Sequence, residues 1–144
     1  MRLHTVLGSV FLGVAAMMTG AHGGPYQQYF AILDAGNQTD GGRAGAVGTA
    51  TIMFGPGTNE VCFAIVVRGV DKPTLAHIHD GGSGVDGGIR VTLSPPATGN
   101  PGTSADCVTT TAANIAAIKA NPTKFYVNVH STSKPNGALR GQLF

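Results

Sequence analysis

Short runs of alternating apolar and polar residues, separated by turn-forming residues, make up most of the chain. In Ala46–Phe54, the side chains of Ala50, Ile52 and Phe54 fall on one face of a strand. Val61–Arg68 is almost wholly apolar, which is typical of a central strand. The same criteria predict five further strands, Tyr26–Leu33, Thr74–His79, Gly88–Leu93, Phe125–His130 and Ala138–Phe144.

One helix interrupts the strands. The spacing of apolar residues predicts it over Ala112–Ala120, with Thr109–Thr111 offering an N-cap and Asn121-Pro122 ending it. Ser94–Asp106, rich in proline and glycine, is predicted to be a loop. We therefore predict an all-β fold, an antiparallel Greek-key β-sandwich of about seven to eight strands with one short crossover helix.

The first residues have the pattern of a secretory signal peptide. Arg2 precedes an uncharged apolar run, Val6–Met18, and small residues follow it. The run is shorter than the roughly 20 residues that span a bilayer. We expect cleavage after Ala21 or Gly23, so that residues 1–21 are the signal peptide and residues 24–144 the folded domain. The mature protein is then expected outside the cytoplasm, secreted or periplasmic, and free of the membrane.

Composition excludes several classes of protein. Charged residues make up 11% of the chain and the formal net charge is +2, which argues against a nucleic-acid partner. The single glutamate, Glu60, argues against a coiled coil. Nothing in the sequence identifies a protein partner.

The two cysteines, Cys62 and Cys107, are expected to form a disulfide, because export leads to an oxidising compartment. Two free buried thiols are the alternative.

Three histidines of the predicted domain could bind one metal ion. His77 and His79 are two positions apart in a strand, so their rings share a face with Cα atoms about 7 Å apart. His130 ends another strand and completes the set if the strand ends meet. Imidazole suits copper and zinc, so we predict a Cu or Zn ion as cofactor. Alternatively, the three rings are hydrogen-bonded structural residues.

Polar neighbours of these histidines are candidates for orienting the rings. The glycine-rich segment after His79 contains Asp80 and Asp86, and either carboxylate could accept a hydrogen bond from an imidazole N–H. Asn128 lies in the same predicted strand as His130 and is a third candidate. No catalytic residues are predicted. Asn37 begins an Asn-X-Thr sequence that is a glycosylation site only in a eukaryotic secretory pathway.

Four segments, in this order, resemble the CHRD domain, which is named for chordin: Leu75–Asp80, Gly84–Leu93, Phe125–His130 and Pro135–Leu143. The resemblance spans about residues 28–144 and implies a secreted domain, but no activity. The bone morphogenetic protein-binding modules of chordin have no counterpart in this chain.

The three histidines also show a weaker similarity to the copper half of Cu,Zn superoxide dismutase. This similarity implies copper-type ligands at His77, His79 and His130. No histidine lies between His79 and His130, so the bridging imidazole and the zinc site of that enzyme have no counterpart.

Three functions remain open at this point. The first is binding of one copper or zinc ion, and the second is a non-catalytic structural or protein-interaction module. The third is a copper redox enzyme.

Overall fold

The computed structural model describes residues 26–144. The predicted signal peptide and both predicted cleavage points lie outside the described residues. Within the described part, no helix is long and apolar enough to cross a bilayer. The strands are β1 (Gln27–Asp34), β2 (Val47–Phe54), β3 (Glu60–Arg68), β4 (Pro73–Asp80), β5 (Ile89–Leu93), β6 (Gly102–Thr109), β7 (Phe125–Ser131) and β8 (Leu139–Gln142), and one α-helix, α1 (Ala112–Ala120), links β6 to β7.

The all-β prediction is confirmed, but the two sheets of a sandwich are replaced by one antiparallel sheet. Its strand order is β5-β4-β7-β8-β1-β2-β3-β6. The sheet curves around a single core of buried apolar side chains drawn from seven of the strands and from α1. Alternation along β2 confirms the predicted pattern, since Ala50, Ile52 and Phe54 are all buried.

The helix is confirmed with the predicted bounds. Thr111 caps it by accepting a hydrogen bond from the Asn114 backbone N–H. The apolar side chains of Ile115 and Ile118 are buried in the core, which holds the helix against the sheet.

Strand β6 is a correction to the sequence analysis, because the first five of its eight residues fall inside the predicted loop Ser94–Asp106. Only Gly102 of this strand is buried, so the strand has no apolar alternation to detect. Backbone pairing to β3 holds it, with Cys62 directly opposite Cys107. The predicted disulfide between these two cysteines is confirmed.

As predicted for Val61–Arg68, β3 lies inside the sheet, paired with β2 on one side and with β6 on the other. Only its inner face is covered, since its outward residue Val66 is 48% exposed. The strand that is covered on both faces is β7, in which every residue is buried. Its inner face carries Phe125, Val127 and Val129 to the core, while its outer face is polar.

Candidate metal centre

The polar residues of the outer face come together because β4, β7 and β8 are neighbours in the sheet. His77 lies opposite Asn128, and His79 lies opposite Tyr126. His130 is two residues beyond Asn128, so its side chain falls on the same face. The apolar residues between these positions face the core, and this alternation fixes the register that aligns the rings.

The three histidines converge, as the sequence analysis required for a shared ion. One ring nitrogen of each lies within 4.8 Å of the others, and all three residues are buried. His77 Nδ1 is 3.1 Å from His130 Nε2. Two ligands of a tetrahedral ion with bonds of about 2.0–2.1 Å are roughly 3.3 Å apart, so this pair is already close to the required spacing. Since the ligand nitrogens of all three residues lie within 4.8 Å of one another, the set would need to contract by at most roughly 1.5 Å to share one ion.

Backbone carbonyls determine which nitrogen each ring presents. His79 Nδ1 donates to the Gly87 carbonyl at 2.9 Å, and His130 Nδ1 donates to the Pro135 carbonyl at 2.8 Å. Both rings therefore carry a lone pair on Nε2. The His77–His130 hydrogen bond must then be donated by His77 Nδ1–H, and only His77 has to exchange tautomer to bind an ion.

His79 Nε2 is buried and has no hydrogen-bond partner in the described part of the chain. A buried acceptor without a partner is costly, and a metal ion is one group that would satisfy it. Neutral imidazoles are the ligating form. Burial lowers the pKa of His77, and with the added effect of the His130 and His79 rings it falls to about 4. Burial also lowers the pKa of His79, although the Gly87 carbonyl acts in the opposite direction.

The carboxylates do not have the predicted contacts with the rings. Asp80 pairs with Arg90, and Asp86 accepts from Arg140 Nη1 at 2.9 Å. The expectation that either carboxylate accepts a hydrogen bond from a histidine is wrong. The N–H groups at Nδ1 of His79 and of His130 are bonded to main-chain carbonyls instead.

Asn128, the third polar candidate, contacts its neighbours rather than the rings. Its Oδ1 accepts from Gln38 Nε2 at 2.6 Å, and its Nδ2 donates to the Asn136 carbonyl. Asn136 follows Pro135, the partner of His130, so Asn128 helps to hold that loop. Gln38 was missed in the sequence, because a glutamine in a turn gives no signal of burial.

A cavity of about 460 Å³ adjoins the histidines. His79 and His130 contribute to its wall, together with the carboxylates Asp40 and Asp86. Asn37, the predicted sequon residue, is exposed nearby and donates through Nδ2 to the Arg140 carbonyl.

Arg140 is the second functional candidate that the sequence analysis missed. It is 1% exposed, on the same face as the histidines, and its guanidinium lies 3.5 Å from the centre of the Tyr126 ring. Tyr126 in turn stacks on His79, with ring centres 5.1 Å apart and an interplanar angle of 12°. The sequence offered one indication that Arg140 is buried, namely its position inside the otherwise largely apolar C-terminal strand.

A family model for the CHRD domain matches residues 29–143. The chain belongs to the CHRD domain family. The match covers every strand except the first two residues of β1, so all three histidines and both cysteines lie within the CHRD domain. A search of curated proteins finds no match. The argument for a metal site in this CHRD domain therefore depends on the geometry of the three histidines alone.

Proposed function

We propose that this CHRD-domain protein is secreted and binds one copper or zinc ion through His77, His79 and His130. The observation that carries the proposal is the convergence of three buried ring nitrogens within 4.8 Å. The two carbonyl contacts, which hold the proton of His79 and His130 on Nδ1 and leave the lone pair on Nε2, support it. Three neutral nitrogen donors suit copper and zinc better than they suit calcium or magnesium.

Metal loading tests this proposal directly. The chain that begins at Gly24 is stripped with a chelator, loaded with Cu or Zn, dialysed and analysed by mass spectrometry for metals. Starting at Gly24 excludes His22, which could otherwise bind copper at the amino terminus. We expect one ion per chain in the wild type and loss of that ion in His79→Gln and His130→Gln. Metal at the level of the dialysis buffer in the wild-type protein would refute the proposal.

A non-catalytic module with structural histidines is the second candidate. The 3.1 Å His77–His130 hydrogen bond favours it, since this pair is satisfied without an ion. In that case, replacing all three histidines with glutamine lowers the free energy of unfolding but does not change the metal content. The same loading experiment therefore separates the two functions. A copper redox activity has no observation in its favour beyond the three histidines, and we do not propose it.

Export has its own test. The disulfide and the family both fit an extracellular protein. Amino-terminal sequencing of protein recovered from the medium or periplasm should begin at His22 or Gly24. Recovery of the chain only from the cytoplasm, starting at Met1, would contradict this part of the proposal.

A further inference from the structure

Arg140 is a buried cation whose contacts are made mainly with the glycine-rich loop of residues 81–88. Its Nη2 donates to the Gly82 carbonyl at 2.8 Å and to the Val85 carbonyl at 2.7 Å. Nη1 donates to Asp86, whose side chain is 65% exposed while that of Arg140 is 1% exposed. Burying a guanidinium is costly unless its N–H groups are bonded, so the loop and the arginine hold each other in place.

The loop in turn supplies the carbonyl that orients His79. Gly87 directly follows Asp86, and its oxygen accepts from His79 Nδ1. Two glycines permit the tight path of the loop. A Cβ at Gly81 would overlap the Val85 carbonyl oxygen, and a Cβ at Gly87 would overlap the Asp80 carbonyl oxygen. The guanidinium also lies over Tyr126, which stacks on the His79 ring.

From these contacts we propose that Arg140 is a positioning residue for the metal centre. It fixes the loop so that the Gly87 carbonyl keeps the His79 proton on Nδ1 and leaves Nε2 free for the ion. The inference rests on the metal-binding function proposed above. Residues that orient metal ligands typically change metal affinity about 10–100-fold when they are replaced.

Charge and geometry predict opposite effects of replacing Arg140. The guanidinium is positive and lies near the site, so charge alone would repel the ion and its removal would tighten binding. Positioning requires the planar fork of five N–H donors, which lysine does not provide. Arg140→Gln and Arg140→Lys should therefore both weaken metal binding, by about 10–100-fold.

The experiment measures metal affinity by competition with a chelator of known strength. A second measurement uses the metal-free protein, where long-range ¹H–¹⁵N spectra show which nitrogen of His79 carries the proton. We expect Nδ1–H in the wild type and a mixture of tautomers in both Arg140 variants. Because this measurement needs no ion, it stands even if the protein binds no metal. Arg90→Gln, which removes an exposed arginine paired with Asp80, is the control and should leave both measurements unchanged.

Asp86→Ala and Asp40→Ala form a matched pair if the Arg140 variants do not fold. Each removes one carboxylate from the cavity wall, but only Asp86 contacts Arg140. Asp86→Ala should weaken binding and shift the His79 tautomer more than Asp40→Ala does. Equal effects of these two variants would overturn the proposal. So would binding that is unchanged in Arg140→Lys and tighter in Arg140→Gln.

Discussion

Acidification of the metal-free protein should destabilise it through His77. Burial lowers the pKa of His77 from 6.5 to about 4 in the folded state. Between these two values the unfolded chain binds more protons than the folded protein, so stability falls as the pH falls from 6.5 to 4. Above pH 6.5 this residue is mainly neutral in both states, and below pH 4 it is mainly protonated in both. The loss of stability therefore accumulates between these two pH values and stays constant below them.

The magnitude follows from the shift. At 1.36 kcal/mol per pKa unit, the full difference is at most roughly 3 kcal/mol. The effective dielectric constant of a folded protein is well above that of a dry interior, which reduces the cost of the charge, so we expect a loss of about 2 kcal/mol. His79 adds a loss in the same direction, because burial lowers its pKa as well.

The assay is urea unfolding in the presence of a chelator at several pH values between 7.5 and 4. His77→Asn is the informative variant, since the asparagine Nδ2 is attached to Cγ, as Nδ1 is, and can donate to His130 Nε2, but the side chain does not titrate. Its stability should depend less steeply on pH than that of the wild type. Hydroxyl groups of Ser131 and Thr132 hold the pKa of Asp71 well below its usual range, so its contribution is lost only at lower pH. Identical slopes in wild type and variant would refute the reasoning.

Three further predictions concern the support of the site. Replacing Cys62 and Cys107 with serine removes a disulfide that joins residues 45 positions apart. The free energy of unfolding, measured with denaturant, should fall by about 4 kcal/mol, and an unchanged value would contradict this prediction. Ile78→Ala removes a fully buried side chain between the two histidines of β4, so it should cost about 2–5 kcal/mol in the same melts. The metal content of the folded Ile78→Ala protein should not change, because that side chain faces the core. Gly87→Ala should displace the carbonyl that accepts from His79 and so weaken metal binding. Gly88→Ala should leave metal binding unchanged, because there is open space around its Cβ position. Equal metal affinities of the two variants would show that the loop does not orient the His79 ring.

Local pattern was enough to predict most of the fold. Alternation located β2, and capping with apolar spacing located α1, because in both cases the residues that decide the structure are adjacent in sequence. Strand β6 was not predictable in this way, since its stability comes from pairing with β3 and from the Cys62–Cys107 bond, and its own side chains are mostly exposed. How many sheets form is also a long-range property, decided by which strands pair.

The candidate site was predicted in its ligands but not in their supports. His77 and His79 share a face by strand periodicity, and His130 was the remaining imidazole of the predicted domain. The groups that orient the rings are main-chain carbonyls of Gly87 and Pro135, which have no signature in the side-chain sequence. Arg140 acts through a loop more than fifty residues away, with a separation of 55 from Val85, so only the folded structure brings the two together.

The two-sided burial of β7 has a practical consequence for handling this protein. Its inner residues complete the apolar core and its outer residues complete the histidine cluster, so a slip of one residue against β4 would exchange the two faces. A misregistered molecule would bury His130 in the core and leave Val129 beside His77. The assembled histidine cluster thus indicates that β7 has its native register. A measurement that detects the cluster, such as NMR of the His79 ring, can therefore be used to check whether refolded protein is native.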